Sequence, residues 1–382
     1  MDILDAVRQF IQKDIKNRSS QLENSKEYPE EVVDTMKRLG FFALNVPEEY
    51  GGLNVSVADY AAVMEELSYG WSSLPSFLNS HNAATSILKK YGTDQQKSKY
   101  LPRLSTGELR GAISMTESSA GTDLQSITSK AEQLPTGNYR LNGRKIFVTN
   151  GARATLYVVL FKTRSEDGTY DKFNLFLVER DSRGFAIGEI YHKLAFKHVD
   201  TAELLFDNVE LPAEAILGGE EGLGLSQMLD TLETGRIAIA AAAVGTARAA
   251  LDAALRYAQV RETFGTTISN HQSVQIHLAE MATKVAAARA LTREAAAYKD
   301  SGTRADMIAG MAKLFASEVV LEVAMRGVRI HGGYGYITEF EAERYYREAA
   351  YYPLIEGSNE IQKIIISRRL VAGDAEKIDL IY

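Results

Sequence analysis

Apolar residues recur with a helical period through the first 110 residues of the chain. Val32, Val33 and Met36 share the spacing of one helix face. Four prolines punctuate this region, and proline is typical of the places where helices begin or end. We therefore predict a helical domain over residues 1–110.

After position 110 the pattern changes to short runs of apolar and β-branched residues. Asn142-Gly143 lies between two such runs and predicts a two-residue hairpin turn, because both turn positions need positive φ. The sequence PTGN at residues 135–138 predicts a second turn. Predicted strands are residues 111–115, 156–161, 173–178 and 202–206. These features predict a central β-domain over residues 111–218, built as a barrel or a sandwich.

From residue 222 onward the chain is rich in alanine and contains a single proline, Pro353. Leu225, Met228 and Leu232 fit one helix face. Long helices with small residues favour a tightly packed bundle. We predict a helical bundle domain over residues 219–382, which makes the chain an α+β protein in the order α, β, α.

Composition and charge exclude several kinds of partner and site. The 382 residues carry a net charge of -7, whereas nucleic-acid-binding proteins usually present a basic face. The chain contains no cysteine, which excludes disulfides and thiolate metal sites and fits a reducing compartment. The histidines lack the spacing of metal ligands and HExxH is absent, so we expect no metal site. From the negative net charge we expect no nucleic-acid partner.

Neither a leader sequence nor a membrane span is expected. The N-terminus lacks the basic start and the long apolar stretch of a signal peptide. The longest apolar run, residues 237–247, lies between Arg236 and Arg248 and is too short to cross a bilayer. We therefore predict a cytoplasmic protein.

A loop of small and hydroxyl residues follows the first predicted strand. Residues 116–123 read TESSAGTD. Small residues let the backbone come close to a ligand, and hydroxyl and N–H groups bind its polar atoms. The alternative is a solvent-exposed loop that is merely rich in turn-forming residues.

Two further segments interrupt the predicted C-terminal helices. RETFG at residues 261–265 places an arginine, which can hold a phosphate through two hydrogen bonds, beside a phenylalanine that can flank an aromatic ring. RIHGGYGY at residues 329–336 is a glycine cluster that can pass backbone close to a pyrophosphate. The alternatives are a turn with a surface arginine and a flexible connection.

The segment PLIEGSNE at residues 353–360 sets one carboxylate, Glu356, between an apolar tripeptide and a glycine. Desolvation at such a position raises the pKa of a glutamate and makes it a stronger base. Gly357 lets a substrate approach the backbone. The alternative is a helix start with Ser358 as its N-cap, and the two interpretations are compatible.

In their order and spacing, these motifs together resemble the acyl-CoA dehydrogenase family over nearly the whole chain. The resemblance implies an N-terminal helical domain, a central β-barrel or sandwich domain and a C-terminal four-helix bundle. It implies FAD as the cofactor and a homotetramer in which a neighbouring subunit contacts each FAD. It also implies an electron-transferring flavoprotein as the partner that reoxidises the flavin.

The resemblance assigns cofactor contacts to particular positions of this sequence. The flavin lining is implied at Ile113, Met115, Thr116, Gly121 and Thr122, with a second flavin strand at Phe147 and Thr149. The segment that reaches the FAD of a neighbouring subunit contains Arg261, Thr263, Phe264, His271 and Gln272. The pyrophosphate side is implied at Arg329, Gly332 and Gly333, and the adenosine half at Ser358 and Glu360.

The resemblance also implies the chemistry. Glu356 matches the base that removes the α-proton of an acyl thioester, while the β-hydrogen leaves as hydride to the flavin. Some members carry the base at the position of Gly235, which has no side chain to serve here. Substrate contacts are expected at Thr122, Glu233, Arg236 and Gly357.

Several positions depart from the family pattern. Ser118-Ser119 stands where Pro-Gly is usual, and Phe147 replaces a common tryptophan. Ile355 replaces a frequent tyrosine just before the base, so the wall of the acyl pocket differs and the acyl group stays open. One alternative is a dehydrogenase of an acyl or aminoacyl group tethered to a carrier protein in a biosynthetic pathway. Another, of a different class, is a non-catalytic FAD-binding paralogue.

Overall fold

The computed structural model describes residues 3–25, 27–165 and 167–372. Along these residues a helical region, a strand region and a second helical region follow one another, which confirms the predicted order. The first region contains α1 (Ile3–Phe10), α2 (Ser19–Asn24), α3 (Glu30–Arg38), α4 (Val57–Gly70), α5 (Ser73–Tyr91) and α6 (Asp94–Ser105). The first two residues of the predicted N-terminal domain and the last ten residues of the predicted C-terminal domain lie outside the described residues.

The second region contains β1 (Gly111–Ser114), β2 (Lys130–Gln133), β3 (Tyr139–Thr149), β4 (Leu156–Arg164), β5 (Tyr170–Glu179), β6 (Phe185–Ile190) and β7 (Thr201–Leu211). The third contains α7 (Gly224–Val260), the short strands β8 (Glu262–Thr263) and β9 (Thr266–Thr267), then α8 (Gln272–Asp300), α9 (Asp306–His331), α10 (Ala342–Ala349) and α11 (Asn359–Val371).

Local sequence chemistry sets where several N-terminal helices begin. The Ser56 hydroxyl accepts a hydrogen bond from the Asp59 N–H and caps α4. Thr93 and Gln96 form a reciprocal capping box at the start of α6. Pro29 stands directly before α3, where it cannot interrupt the helical hydrogen bonds.

The central strands form one connected sheet, whose hydrogen-bonded neighbours follow the path β1-β4-β2-β3-β7-β6. β1 and β2 run parallel to β4 and pair with successive parts of it, whereas β5 runs antiparallel to β4 and pairs along its whole length. Side chains of β4 alternate between two buried cores, so both faces of this strand are covered. One core receives Leu156, Val158 and Leu160, and the other receives Tyr157, Val159 and Phe161.

The hairpin predicted at Asn142-Gly143 is wrong. β3 runs straight through this dipeptide, which lies at a register shift against β7. The chain reverses at the second predicted turn instead, where Leu134 and Asn138 are hydrogen-bonded. Gly143 serves close packing, since a Cβ there would lie 2.2 Å from the Ser129 hydroxyl oxygen. Pairing of β3 with strands on both sides outweighs the local turn preference.

The C-terminal helices α7, α8 and α9 pack against one another, and α11 packs on α9. α7 is long and apolar enough to cross a membrane, but 83% of its most apolar window is buried inside the fold, so it is a core helix. Its crossing with α4 is close: a Cβ on Gly245 would lie 2.2 Å from the Glu65 carbonyl oxygen. Glycine therefore lets this central helix contact the N-terminal domain.

Candidate active site

Glu356 lies in the loop between α10 and α11, in an unusual backbone conformation. Its φ is +53° and that of the following Gly357 is +85°. The left-handed region is unfavourable for a residue with a Cβ, so the surrounding structure must hold the loop there. Such strain is found most often at functional sites.

A buried lysine holds this loop in place. The ammonium group of Lys313, on α9, donates to the Pro353 carbonyl at 3.1 Å, the Gly357 carbonyl at 3.0 Å and the Asn359 side-chain oxygen at 2.9 Å. Burial lowers the pKa of Lys313 to about 8, with the Glu356 charge acting in the opposite direction. No sequence motif marks Lys313, because its acceptors lie at least 40 residues further along the chain.

The Glu356 carboxylate points into a packed environment formed by α5 of the N-terminal domain and by α7. The Asn79 amide donates to its Oε1 at 3.0 Å. Its Oε2 is buried and has no hydrogen-bond partner in the described part of the chain. A Cβ on Gly235 would lie only 2.8 Å from this oxygen. Burial, opposed by the Asn79 hydrogen bond and by nearby cations, raises the pKa of Glu356.

Two predicted substrate residues on α7 have very different surroundings. Glu233 is engaged structurally, because its carboxylate accepts from the Lys299 ammonium at 2.7 Å and from the Ala305 N–H at 3.0 Å. Arg236 is 5% exposed, and within the described residues its guanidinium has neither a hydrogen bond nor an ion pair. Burial lowers the pKa of Arg236 and the Glu356 charge acts against that shift, which places the guanidinium near the carboxylate.

The predicted flavin-lining loop is tied firmly to β3. The Ile146 N–H donates to the Thr116 carbonyl at 2.9 Å. The Lys145 ammonium donates to the Glu117 carboxylate at 2.7 Å, and both side chains are buried. Burial opposes ionisation of Glu117, but Lys145 and several hydrogen bonds hold its pKa at about 2. The loop at residues 116–123 is therefore anchored by an ion pair at its first turn.

The second predicted flavin segment presents an open aromatic surface next to the base loop. Phe147 is 61% exposed at a φ of +56°, and its ring centroid lies 5.0 Å from that of Tyr191. Thr149 lies close enough to Tyr351, five residues before Glu356, to oppose the rise in the pKa of that phenol that burial causes. The strand that carries Phe147 and Thr149 therefore lies next to the loop that carries the carboxylate.

Other predicted cofactor residues meet elsewhere, in an open cavity of about 430 Å³ at the ends of α7 and α9. Arg261, Thr263, Gly332 and Gly333 line it. Beside it, Thr263 is hydrogen-bonded to His271 at 2.9 Å, and Phe264 is 98% exposed. Gln272, Arg329 and Glu360 are exposed, and Ser358 occupies the N-cap position of α11 without a side-chain capping bond.

The two groups of predicted cofactor residues are far apart. Gly235, beside Glu356, and Arg261, at the cavity, are 26 positions apart along α7 and its C-cap. At about 1.5 Å per helical residue they are separated by about 39 Å, which is longer than an FAD molecule. One FAD cannot contact both groups of a single chain.

Comparison with known proteins agrees with this architecture along almost the whole chain. The acyl-CoA dehydrogenase N-terminal, middle and C-terminal domain models match residues 1–108, 112–209 and 222–371. An acyl-CoA dehydrogenase of Bacillus subtilis (strain 168) is 38% identical over 368 residues, which covers 96% of each chain.

Two further matches have equally broad coverage. The caffeyl-CoA reductase-Etf complex subunit CarC of Acetobacterium woodii is 35% identical over 366 residues, 95% of this chain and 96% of that one. The butyryl-CoA dehydrogenase structure from Megasphaera elsdenii has a TM-score of 0.93 at 34% identity and covers 97% of both chains. The chain therefore belongs to the acyl-CoA dehydrogenase family of flavin-dependent CH–CH oxidoreductases, whose members bind FAD.

Proposed function

We propose that this protein forms the α,β-double bond of an acyl-CoA thioester and that Glu356 is the base that removes the α-proton. The observation that carries the proposal is the buried carboxylate with an unpartnered Oε2. A desolvated carboxylate is a stronger base than a solvated one, so the raised pKa of Glu356 suits it to this weakly acidic proton.

The backbone of the same residue supplies a second function. The Glu356 N–H donates to no acceptor in the described structure, and the left-handed turn at Glu356 and Gly357 keeps it out of α11. A free donor beside the base can bind the thioester oxygen and stabilise the negative charge that develops there as the α-proton leaves. Base and donor then act on the α-carbon and on the carbonyl oxygen, which are bonded to the same carbon of the substrate.

The residues around this loop fit FAD. The exposed ring of Phe147 offers an apolar face, and the Thr116 loop, which is hydrogen-bonded to β3, offers hydroxyl and backbone groups. When bound, FAD supplies the hydride acceptor for the β-hydrogen. Thr116, Thr122 and Thr149 would hold the isoalloxazine, and Glu356 would face the substrate on the other side.

The second group of residues supports a shared cofactor site. Because one FAD cannot span about 39 Å, Arg261, Thr263 and the open glycines Gly332 and Gly333 would serve the FAD of a neighbouring copy. Nothing lies within 4 Å of a Cβ built on either glycine, so backbone is open to a pyrophosphate there. We propose a homotetramer in the cytoplasm, with an electron-transferring flavoprotein as electron acceptor.

The experiment is anaerobic flavin bleaching by a panel of acyl-CoA thioesters, beginning with butyryl-CoA, in the wild type and in Glu356→Gln. The substitution keeps the side-chain volume and removes the proton acceptor. We expect FAD to stay bound and bleaching to slow by a factor on the order of 10²–10⁴. Glu318→Gln, which changes an exposed carboxylate in a surface ion pair, is the matched control and should bleach normally.

Three results would contradict the proposal. Near-normal bleaching in Glu356→Gln would remove Glu356 from the mechanism. Bleaching by a carrier-protein thioester but by none of the CoA thioesters would favour the carrier-tethered substrate instead. A wild-type protein that remains colourless after reconstitution with FAD would indicate a non-catalytic paralogue.

A further inference from the structure

Asn79 is the only described residue whose side chain donates a hydrogen bond to the Glu356 carboxylate. It lies on α5 in the N-terminal domain, 277 positions from Glu356, and its amide reaches Oε1 at 3.0 Å. No sequence motif marks Asn79, and the role proposed above for Glu356 does not use it. The hydrogen bond leaves Oε2 as the unpartnered oxygen.

The turn of α5 that carries Asn79 is fixed to the strands that carry the predicted flavin residues. The Asn150 side chain, directly after β3, donates to the Ser76 carbonyl at 3.0 Å. The Ile113 N–H of β1 donates to the Ser80 hydroxyl at 3.3 Å. Asn79 is therefore held on a rigid helix relative to both strands, and such support fixes the position of the groups that it contacts.

We propose that Asn79 is a positioning residue, which orients the Glu356 carboxylate between α5 and α7 and favours its charged form. The role rests on the proposed function of Glu356 as the base. A neutral amide donor strengthens its hydrogen bond when the acceptor is charged, so it stabilises the carboxylate without adding charge to the pocket. On the opposite side, Gly235 leaves room for Oε2.

The other groups that face Glu356 do not replace this hydrogen bond. Tyr60 on α4 and Tyr351 in the loop before Glu356 are phenols whose pKa burial raises, so they stay neutral. Arg236 on α7 and Lys313 on α9 act on Glu356 through charge. Neither donates to its carboxylate within the described residues, and the Lys313 protons are already directed at other acceptors.

Asn79→Leu removes the donor at nearly constant volume, and Asn79→Asp replaces it with a second carboxylate. The rate of anaerobic flavin bleaching is measured against pH in the FAD-loaded protein, with the thioester that bleaches the wild type fastest. Because bleaching needs the charged base, we expect the acid limb to move to higher pH, further in Asn79→Asp. On that limb Asn79→Leu should be about tenfold slower, which is the effect of losing a hydrogen bond to a charged group.

A substrate-free measurement follows the same titration. The infrared C=O stretch of the protonated Glu356 carboxyl is the band that is present in the wild type and absent from Glu356→Gln. It should persist to higher pH in both Asn79 variants. Asn45→Leu is the matched control, because it removes an amide with a hydrogen bond of the same 3.0 Å length, to the Ser86 hydroxyl, and should leave both pH profiles unchanged.

The outcomes separate this role from the proposed function. Shifts of both pH profiles in the Asn79 variants, with Asn45→Leu unshifted, support the positioning role. Identical profiles in the wild type and Asn79→Leu, with Glu356→Gln inactive, overturn the role of Asn79 alone. Normal bleaching in Glu356→Gln overturns the proposed function itself.

Discussion

Gly235 occupies a position on α7 where an added side chain would meet the Glu356 carboxylate. In Gly235→Ala the new methyl group would lie 2.8 Å from Oε2, and ordinary contact begins near 3.4 Å, so the carboxylate must move by about 0.6 Å. A misplacement of about 1 Å costs about a hundredfold in rate, so we expect a loss on the order of tenfold. Alanine also favours a helix over glycine by up to about 1 kcal/mol, so stability should hold or rise.

Stopped-flow flavin bleaching measures the rate, and thermal unfolding measures the stability. The matched control is Gly327→Ala on α9, where the new methyl group would lie 3.7 Å from the Ala250 carbonyl oxygen and makes only ordinary contact. This control should gain the same helical preference and keep the wild-type rate. A wild-type rate in Gly235→Ala would refute the reasoning, because it would mean that the reacting carboxylate is not seated against α7.

Two further predictions concern buried charges that support the fold. Lys145→Met leaves the buried Glu117 without its cation, so we expect the free energy of unfolding to fall by about 3–5 kcal/mol and FAD to be released at lower urea concentration. An unchanged urea midpoint of unfolding would refute this expectation. Burial lowers the pKa of His81 to about 4 from 6.5, so wild-type stability should fall by about 3 kcal/mol as the pH drops through this range. His81→Gln puts a neutral amide in the place of the imidazole that bonds to Phe42 and Gly111, so its free energy of unfolding in urea should depend less on pH than that of the wild type. Parallel pH profiles of the variant and the wild type would contradict this.

Much of the fold followed from local patterns, and the exceptions have a common cause. The strands predicted at residues 156–161, 173–178 and 202–206 lie within β4, β5 and β7, because short β-branched and apolar runs suit a buried sheet. The turn signal of Asn142-Gly143 failed because β3 pairs on both sides through that position. The desolvation of the Glu356 carboxylate was predicted from its apolar neighbours in sequence. No local pattern marked Asn79 and Lys313, which contact this residue or its loop.

The sequence by itself determined the order of helical and strand regions, the absence of cysteine chemistry and the candidate base. These features depend on neighbouring residues and on composition, which a chain carries before it folds. Only the tertiary structure decided which oxygen of Glu356 is bonded, that Arg236 is buried with no hydrogen bond or ion pair among the described residues while Glu233 is engaged, and that the predicted cofactor residues form two distant groups. Hydrogen bonding, desolvation and distance depend on residues brought together from positions tens to hundreds apart, so they exist only in the folded chain.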